Sequence, residues 1–251
     1  MSLGEVVAIA LAGLAAGTIN TVVGSGTLIT FPVLLAFGYA PVTANVSNTI
    51  GLVPGSIAGA VGYRRELAGQ RSRAIRLGTI SLLGGITGAV LLLLLPASVF
   101  KDVVPLFIAI ALVLVVLQPR LKRLLADRDI HAVHESGIVV ALAVYATGVY
   151  GGYFGAGQGI LLLGILGLAL SQDLHRTNAL KNVLAGLTNG VAAVYFMLAA
   201  HVAWAPAGII AGSSILGAQL GARYGRRLPP AALRAIIVVV GVTAIVRLLV
   251  M

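Results

Sequence analysis

Four short stretches carry nearly all the residues that could do chemistry. "NTVVGSGT" (20–27) breaks an apolar run with Asn20, Gly24, Ser25, Gly26 and Thr27. "GGYFGAGQG" (151–159) breaks a later one with Gly155, Gly157 and Gln158. Glycine lets the backbone turn and lets two segments approach closely. Unwound backbone inside a membrane survives only where it is buried in protein or lines a watery cavity. There, free N–H groups and helix N-termini form a cradle of partial positive charge suited to an anion. Asn20, Ser25, Thr27 and Gln158 would add side-chain donors. The competing reading is tight helix packing through small residues. Two kinks at corresponding places, each before a short apolar segment, favour a site.

The second pair of stretches is "TANVSNT" (43–49) and "RTNALKN" (176–182), each opening a long apolar segment. Asn45, Ser47, Asn48 and Thr49 make an unusually polar start, and Asn178, Lys181 and Asn182 stand in the second copy. Asn45 with Asn48, and Asn178 with Lys181, are spaced i, i+3 and share a helix face. An ionisable residue inside a membrane segment is a candidate functional group. Against that, Lys181 lies within about two turns of its segment's start and could snorkel to the headgroups.

The carboxylates narrow the choice. Glu5, Glu66, Asp102, Asp127, Asp129, Glu135 and Asp173 all fall in loops or at segment ends. The polar interior is therefore neutral to positive, which favours an anionic substrate, although rings of carbonyls can conduct cations. His131 and His134 read as a solvated loop and not as a metal site, and neither His175 nor His201 has a catalytic neighbourhood. Tyr145, Tyr150 and Tyr153 surround the second kink, where packing is the common role, and Trp204 fits an interfacial anchor. There is no HExxH, GxSxG or Walker loop. The expectation is a non-enzymatic protein without cofactor or metal.

These motifs need a scaffold, and composition names its class. Of 251 residues, 59% are hydrophobic and 10% charged, against roughly 25% charged in soluble proteins. Such a chain cannot cover itself with a wetted surface and must be a polytopic membrane protein. The net charge of +10 sits in short runs between apolar segments, which reads as topology signal and contact with anionic headgroups, not nucleic-acid binding. Cysteine is absent, which excludes disulfides and thiolate chemistry. "MSLGEVVAIALAGLAAG" lacks a basic n-region and reads as a retained first helix.

Ten apolar segments are expected, near 3–23, 27–38, 42–62, 77–95, 103–118, 137–154, 159–170, 177–198, 205–222 and 231–250. Eight approach the length of a span, about 20 residues. Segments 27–38 and 159–170 are too short to cross and are expected to be re-entrant or to complete a broken span. Placing the basic loops 63–76, 119–136, 171–176 and 223–230 in the cytoplasm leaves 38–42, 96–102 and 199–206 outside, with both termini outside. A shift of 133 matches Asn45 with Asn178, Gly84 with Gly217, Gly88 with Gly221 and Leu95-Pro96 with Leu228-Pro229. A shift of 131 matches Gly17 with Gly148, Gly24 with Gly155 and Gly26 with Gly157. The expected fold is thus all-α, with two repeats of five helical segments, residues 1–118 and 137–251, joined by a basic linker at 119–136. An odd number of segments forces the copies into opposite orientations, the architecture of secondary transporters.

The sequence resembles the sulfite exporter TauE/SafE family of bacterial membrane proteins over essentially its whole length. "AGTINTVVGSGTLITFPVLLAFG" and "ANVSNTIGLVPGSIAGAVGYRREL" carry the likeness in the first half. "GVYGGYFGAGQGILLLGILG" and "RTNALKNVLAGLTNGVAAVYF" carry it in the second. The resemblance implies a bacterial inner-membrane permease for sulfite, another sulfur oxyanion or an organosulfonate. The usual first-half pattern is closer to G-x-G-G-G, where this chain reads Gly24-Ser25-Gly26-Thr27-Leu28, and Gln158 interrupts the glycines of the second copy; these departures put polar groups at both kinks. The combined expectation is a small-anion permease working by alternating access, with residues 20–27, 45–49, 155–158 and 178–182 at its site. A passive channel is the rival; monomer and homodimer both remain open.

Overall fold

A computed structural model describes residues 1–126, 137–170, 172–224 and 230–250. Among these, every regular element is an α-helix, in the order α1 Leu3–Val22, α2 Thr27–Ala36, α3 Pro41–Gly62, α4 Arg71–Leu94, α5 Ala97–Ala126, α6 Ile138–Tyr153, α7 Gln158–Ala169, α8 Leu174–Ala199, α9 Trp204–Tyr224 and α10 Pro230–Val250. Large apolar side chains point outward along them: Leu3, Leu94 and Leu198 are 81%, 72% and 82% exposed. Bare leucines of this kind are at home against hydrocarbon and costly against water.

Each expected segment is a helix, but two boundaries move. α4 starts at Arg71, so Arg71, Arg73 and Arg76 lie on its first turns and the connection from α3 shrinks to 63–70. α5 runs from Ala97 to Ala126, past both ends of the 103–118 run and through Pro105 and Pro119. Apolarity marks where a helix enters hydrocarbon, whereas the backbone ladder continues for as long as its N–H and C=O groups find partners. Residues 119–126 of the basic linker are thereby helical; its remainder, with His131 and His134, lies outside the described residues.

Span length divides the helices. α1, α4, α8, α9 and residues 97–121 of α5 are long and apolar enough to cross a membrane, five helices among the described residues, where eight full spans were expected. α3 has the length, 22 residues, but carries Asn45, Ser47, Asn48 and Thr49 buried on it. α6 has only 16 residues. α2 and α7, of 10 and 12 residues, reach about 15 and 18 Å at 1.5 Å per residue. Neither can cross alone.

Backbones meet where glycines face neighbouring helices. A Cβ on Gly217 of α9 would lie 2.0 Å from the Leu14 carbonyl oxygen of α1, and one on Gly88 of α4 would lie 2.0 Å from that of Val149 on α6. Between helices in lipid there is little hydrophobic drive, so close backbone approach supplies the dispersion contact. Hydroxyls reinforce the same pairs: Ser214 Oγ donates to the Gly51 carbonyl at 3.1 Å, and Ser81 Oγ to that of Leu184 at 3.3 Å. Both donor and acceptor of the second bond are 133 residues before or after their counterparts in the first. α1 thus packs on α9 as α6 packs on α4, and α3 on α9 as α8 on α4.

The chain ends fall into place by contact. Tyr39 Oη donates to the Glu5 carboxylate at 3.0 Å, so the start of α1 lies beside the turn between α2 and α3. Burial, then the hydrogen bond and charge of Glu5, push the Tyr39 hydroxyl above its ordinary pKa. At the opposite end of α3, Gln70 and Arg176 join the 63–70 connection to the start of α8.

Candidate functional site

Both kinks form by the same local device. α1 closes with the Val23 and Gly24 N–H groups returning to the Ile19 carbonyl at 2.7 and 3.0 Å, and Gly24 takes φ +91°. α6 closes with the Phe154 and Gly155 N–H groups returning to the Tyr150 carbonyl at 2.9 and 3.0 Å, and Gly155 takes φ +77°. A left-handed residue after the last turn ends a helix and satisfies its orphan carbonyls, and glycine alone adopts it without a Cβ penalty. Gly157, also left-handed, then caps α7, while Gly26 caps α2 in ordinary helical geometry.

The kinks touch each other. The Gly159 N–H donates to the Gly24 carbonyl at 3.1 Å, and a Cβ on either residue would lie 2.4 Å from the other's Cα. Here two broken-helix hairpins, one from each half of the chain, cross backbone to backbone.

α3 and α8 bring their polar starts to this crossing, each reaching to the helix of the other half. Asn45 Nδ2 donates to the Tyr153 carbonyl at the end of α6, at 2.9 Å. Asn178 Nδ2 and Asn182 Nδ2 donate to the Thr21 carbonyl at the end of α1, each at 3.3 Å. Lys181 Nζ donates to the Asn20 carbonyl at 3.2 Å, and its side chain is 1% exposed. Lys181 therefore points inward to the kink and does not snorkel. Its counterpart Asn48 turns to its own half, donating to Thr27 Oγ1 at 3.3 Å and accepting from Thr30 Oγ1.

A small cavity opens beside the crossing, lined by Asn20, Thr21, Gly24, Ser56, Lys181 and Asn182 together with Ala185. Its core of about 10 Å³ holds about one water. Asn20, Gly24, Lys181 and Asn182 of the expected site residues line it. Ser25, Gly26, Thr27, Asn45, Asn48, Gly155, Gly157, Gln158 and Asn178 do not line it. Several of them are nonetheless unsatisfied: Ser25 Oγ, Asn45 Oδ1, Gln158 Nε2 and Asn178 Oδ1 are buried without a hydrogen-bond partner. Buried polar atoms are nearly always paired, and four exceptions gather in these two kinks and the helix starts beside them. Gln158 lies over Gly151, where a Cβ would come 2.3 Å from its amide.

Ser56 and Ala185 went unnoticed in the sequence, and Thr21 lies inside the expected 20–27 stretch without having been singled out. Ser56 was recoverable, because it follows Asn45 by eleven residues, about three helical turns on one face. Ala185 likewise extends the Asn178, Lys181, Asn182 stripe by a turn. Ser56 Oγ accepts from Asn20 Nδ2 at 3.4 Å, which ties α3 to the first kink.

Hydrogen bonds tie the connections at both ends of α3 to the second half of the chain. On one side Gln70 Nε2 donates to the carbonyls of Glu66 and Arg176 at 2.8 and 3.2 Å, and Arg176 Nη2 donates to that of Ala68 at 2.9 Å. Arg73 donates to Gln172 Oε1 at 3.1 Å beside them. On the other side Ser47 Oγ accepts from the Ala203 N–H at 2.9 Å, which holds the α8–α9 connection against α3. Near the second kink Phe31, Phe100, Phe107, Tyr153 and Phe154 pack edge-on and stacked at 5.2–6.4 Å. Tyr150 Oη donates to the Ala156 carbonyl, and Tyr145 Oη pairs with Thr87 at 2.9 Å, so both hydroxyls serve the packing.

Helices as the only regular elements among the described residues, apolar flanks and a polar crossing of two broken helices are the build of a polytopic membrane protein. The family model described as Sulfite exporter TauE/SafE matches residues 9–248, and the chain belongs to that family. It is 29% identical to "Probable membrane transporter protein ORF9" of Sinorhizobium sp, covering 95% of this chain and 90% of that one. It is 25% identical to "Probable membrane transporter protein YfcA" of Escherichia coli strain K12, covering 93% and 86%. A "Probable membrane transporter protein" of Haemophilus influenzae is 27% identical, covering 84% and 81%. No solved structure matches.

Proposed function

We propose that the protein is a secondary transporter for a small anion, a sulfur oxyanion or organosulfonate, working by alternating access between inverted repeats. The observation that carries this is Lys181: its ammonium lines a buried polar cavity at the crossing of two broken helices. Among the described residues it is the one charged side chain in the core. Cationic charge beside amide donors and backbone N–H groups is complementary to an oxyanion.

Two repeats, 1–118 and 137–251, would rock against each other about this point. The recurring helix pairs and the matched Ser81 and Ser214 bonds support that division. The cavity is too small for any oxyanion as it stands, which favours a carrier between its open states over a standing pore. With the basic connections facing the cytoplasm of a bacterial inner membrane, both termini would lie outside. Gln70 and Arg176 would then close the inner approach, and Ser47 with Ala203 the outer one. Anionic headgroups would contact the arginines of 64–76.

Thermal unfolding of the purified protein against sulfite, sulfate, thiosulfate, taurine and unrelated carboxylates tests the reading. At a hundredfold excess over Kd, linkage contributes about 2.7 kcal/mol. One of the sulfur anions should therefore raise the midpoint in a concentration-dependent way, while the carboxylates do less. If no anion moves it, the proposal fails.

A further inference from the structure

The polar cavity has an apolar annex. Ser56 and Asn182 line the cavity on one face, and on the other they line a groove of about 480 Å³ between α3 and α8. That volume falls in the roughly 300–1,000 Å³ range of small-molecule sites. Apart from those two residues the groove is aliphatic, with Val53, Ile57, Val191 and Val194 along it and Gly186 and Gly190 in its floor. Ile57 and Val194 are more than half exposed, so the groove opens sideways, to the hydrocarbon of the bilayer.

The floor is unfilled. A Cβ on Gly190 would meet nothing within 4 Å, and one on Gly186 would meet only Ser56 Cβ at 3.8 Å. These glycines contrast with Gly217 and Gly88, where a Cβ would strike a neighbouring backbone. Helix contact therefore does not require them; they leave room.

We infer that the anion carried has an apolar tail: its charged head sits at Lys181, and its alkyl chain lies in the α3–α8 groove across Gly186 and Gly190. The inference rests on the proposed anion site and adds the substrate class. A head of one chemistry and a tail of the other match the two compartments, and Ser56 and Asn182 form the seam between them. The groove also gives the tail a lateral position without passing it through the polar crossing.

The test is a ladder of methane-, butane- and octanesulfonate, with affinities read from stabilisation of the wild type and of Gly190→Leu. Burying a methylene from water favours binding by about fourfold, at roughly 0.8 kcal/mol each. Wild-type affinity should therefore climb about fourfold per carbon until the groove is full. Gly190→Leu should melt near wild type, hold methanesulfonate with wild-type affinity and lose the climb; Gly186→Val should repeat the result. A flat ladder in the wild type, with methanesulfonate still bound, overturns the tail and leaves the anion site standing. An equal climb in both variants overturns it too, because the tail then partitions only into detergent or lipid. If no member of the ladder binds while sulfite, sulfate or thiosulfate still stabilises the protein, the tail falls and the anion site stands; if none of these anions binds either, both readings fall.

Discussion

Replacing Lys181 by methionine is expected to weaken anion binding by about 10- to 100-fold without loosening the fold. A hydrogen bond to a charged group contributes roughly 1.5–3 kcal/mol, and each 1.4 kcal/mol is about tenfold. Methionine keeps the apolar stem, so packing around the 1%-exposed side chain is largely retained. The charge itself costs desolvation energy in this position. The unliganded protein should accordingly melt at or above the wild-type temperature while losing its response to anions. Stabilisation curves on both proteins separate these effects. Equal anion responses would show that Lys181 is structural.

The second large effect concerns the crossing. Gly24→Ala places a side chain on a backbone at φ +91° and drives its Cβ to within 2.4 Å of Gly159 Cα. The left-handed conformation costs about 1–2 kcal/mol, and overpacking against backbone about 1–3 kcal/mol more. Gly38→Ala is the matched control, since Gly38 has φ +85° but nothing within 4 Å of its Cβ site. Gly24→Ala should lower the melting temperature by about twice as much as Gly38→Ala or more. Gly159→Ala should also be severe, because it meets the same contact from the other side. If Gly24→Ala and Gly38→Ala are equally mild, the two kinks do not press on each other.

Local features of the molecule were legible because they depend on local chemistry. Gly24 and Gly155 stand where a helix ends and Gly157 where the next begins, and positive φ is why glycine is there. Asn45 and Asn178 open α3 and α8 at matched positions, and both are buried as polar interior groups. The end of the basic loop was misplaced at residue 76 because charge was taken as the limit of the helix, whereas α4 begins at Arg71. The long α5 was shortened for the same reason.

Contacts between the halves were not legible. Nothing in "NTVVGSGT" says that Gly24 will touch Gly159, or that Lys181 will reach the Asn20 carbonyl 161 residues away. Those depend on which helices pair, and pairing is decided by packing across the whole bundle. Grouping by motif gathered residues of the two kinks and of the starts of α3 and α8, of which Asn20, Gly24, Lys181 and Asn182 line the cavity. Gln158 and Asn45 carry unsatisfied atoms near the crossing without lining the cavity, while Ser56 and Ala185, which no motif marked, do line it.

The central claim is that a binding site at Lys181 moves its anion between the two sides. Counterflow in proteoliposomes tests it most directly: vesicles are preloaded with the unlabelled anion that stabilises the protein best, and uptake of labelled anion is followed. The account predicts transient accumulation of label above equilibrium, saturation with external anion, and loss of both in Lys181→Met. Linear uptake that ignores the preload, or equal counterflow in the variant, would contradict it.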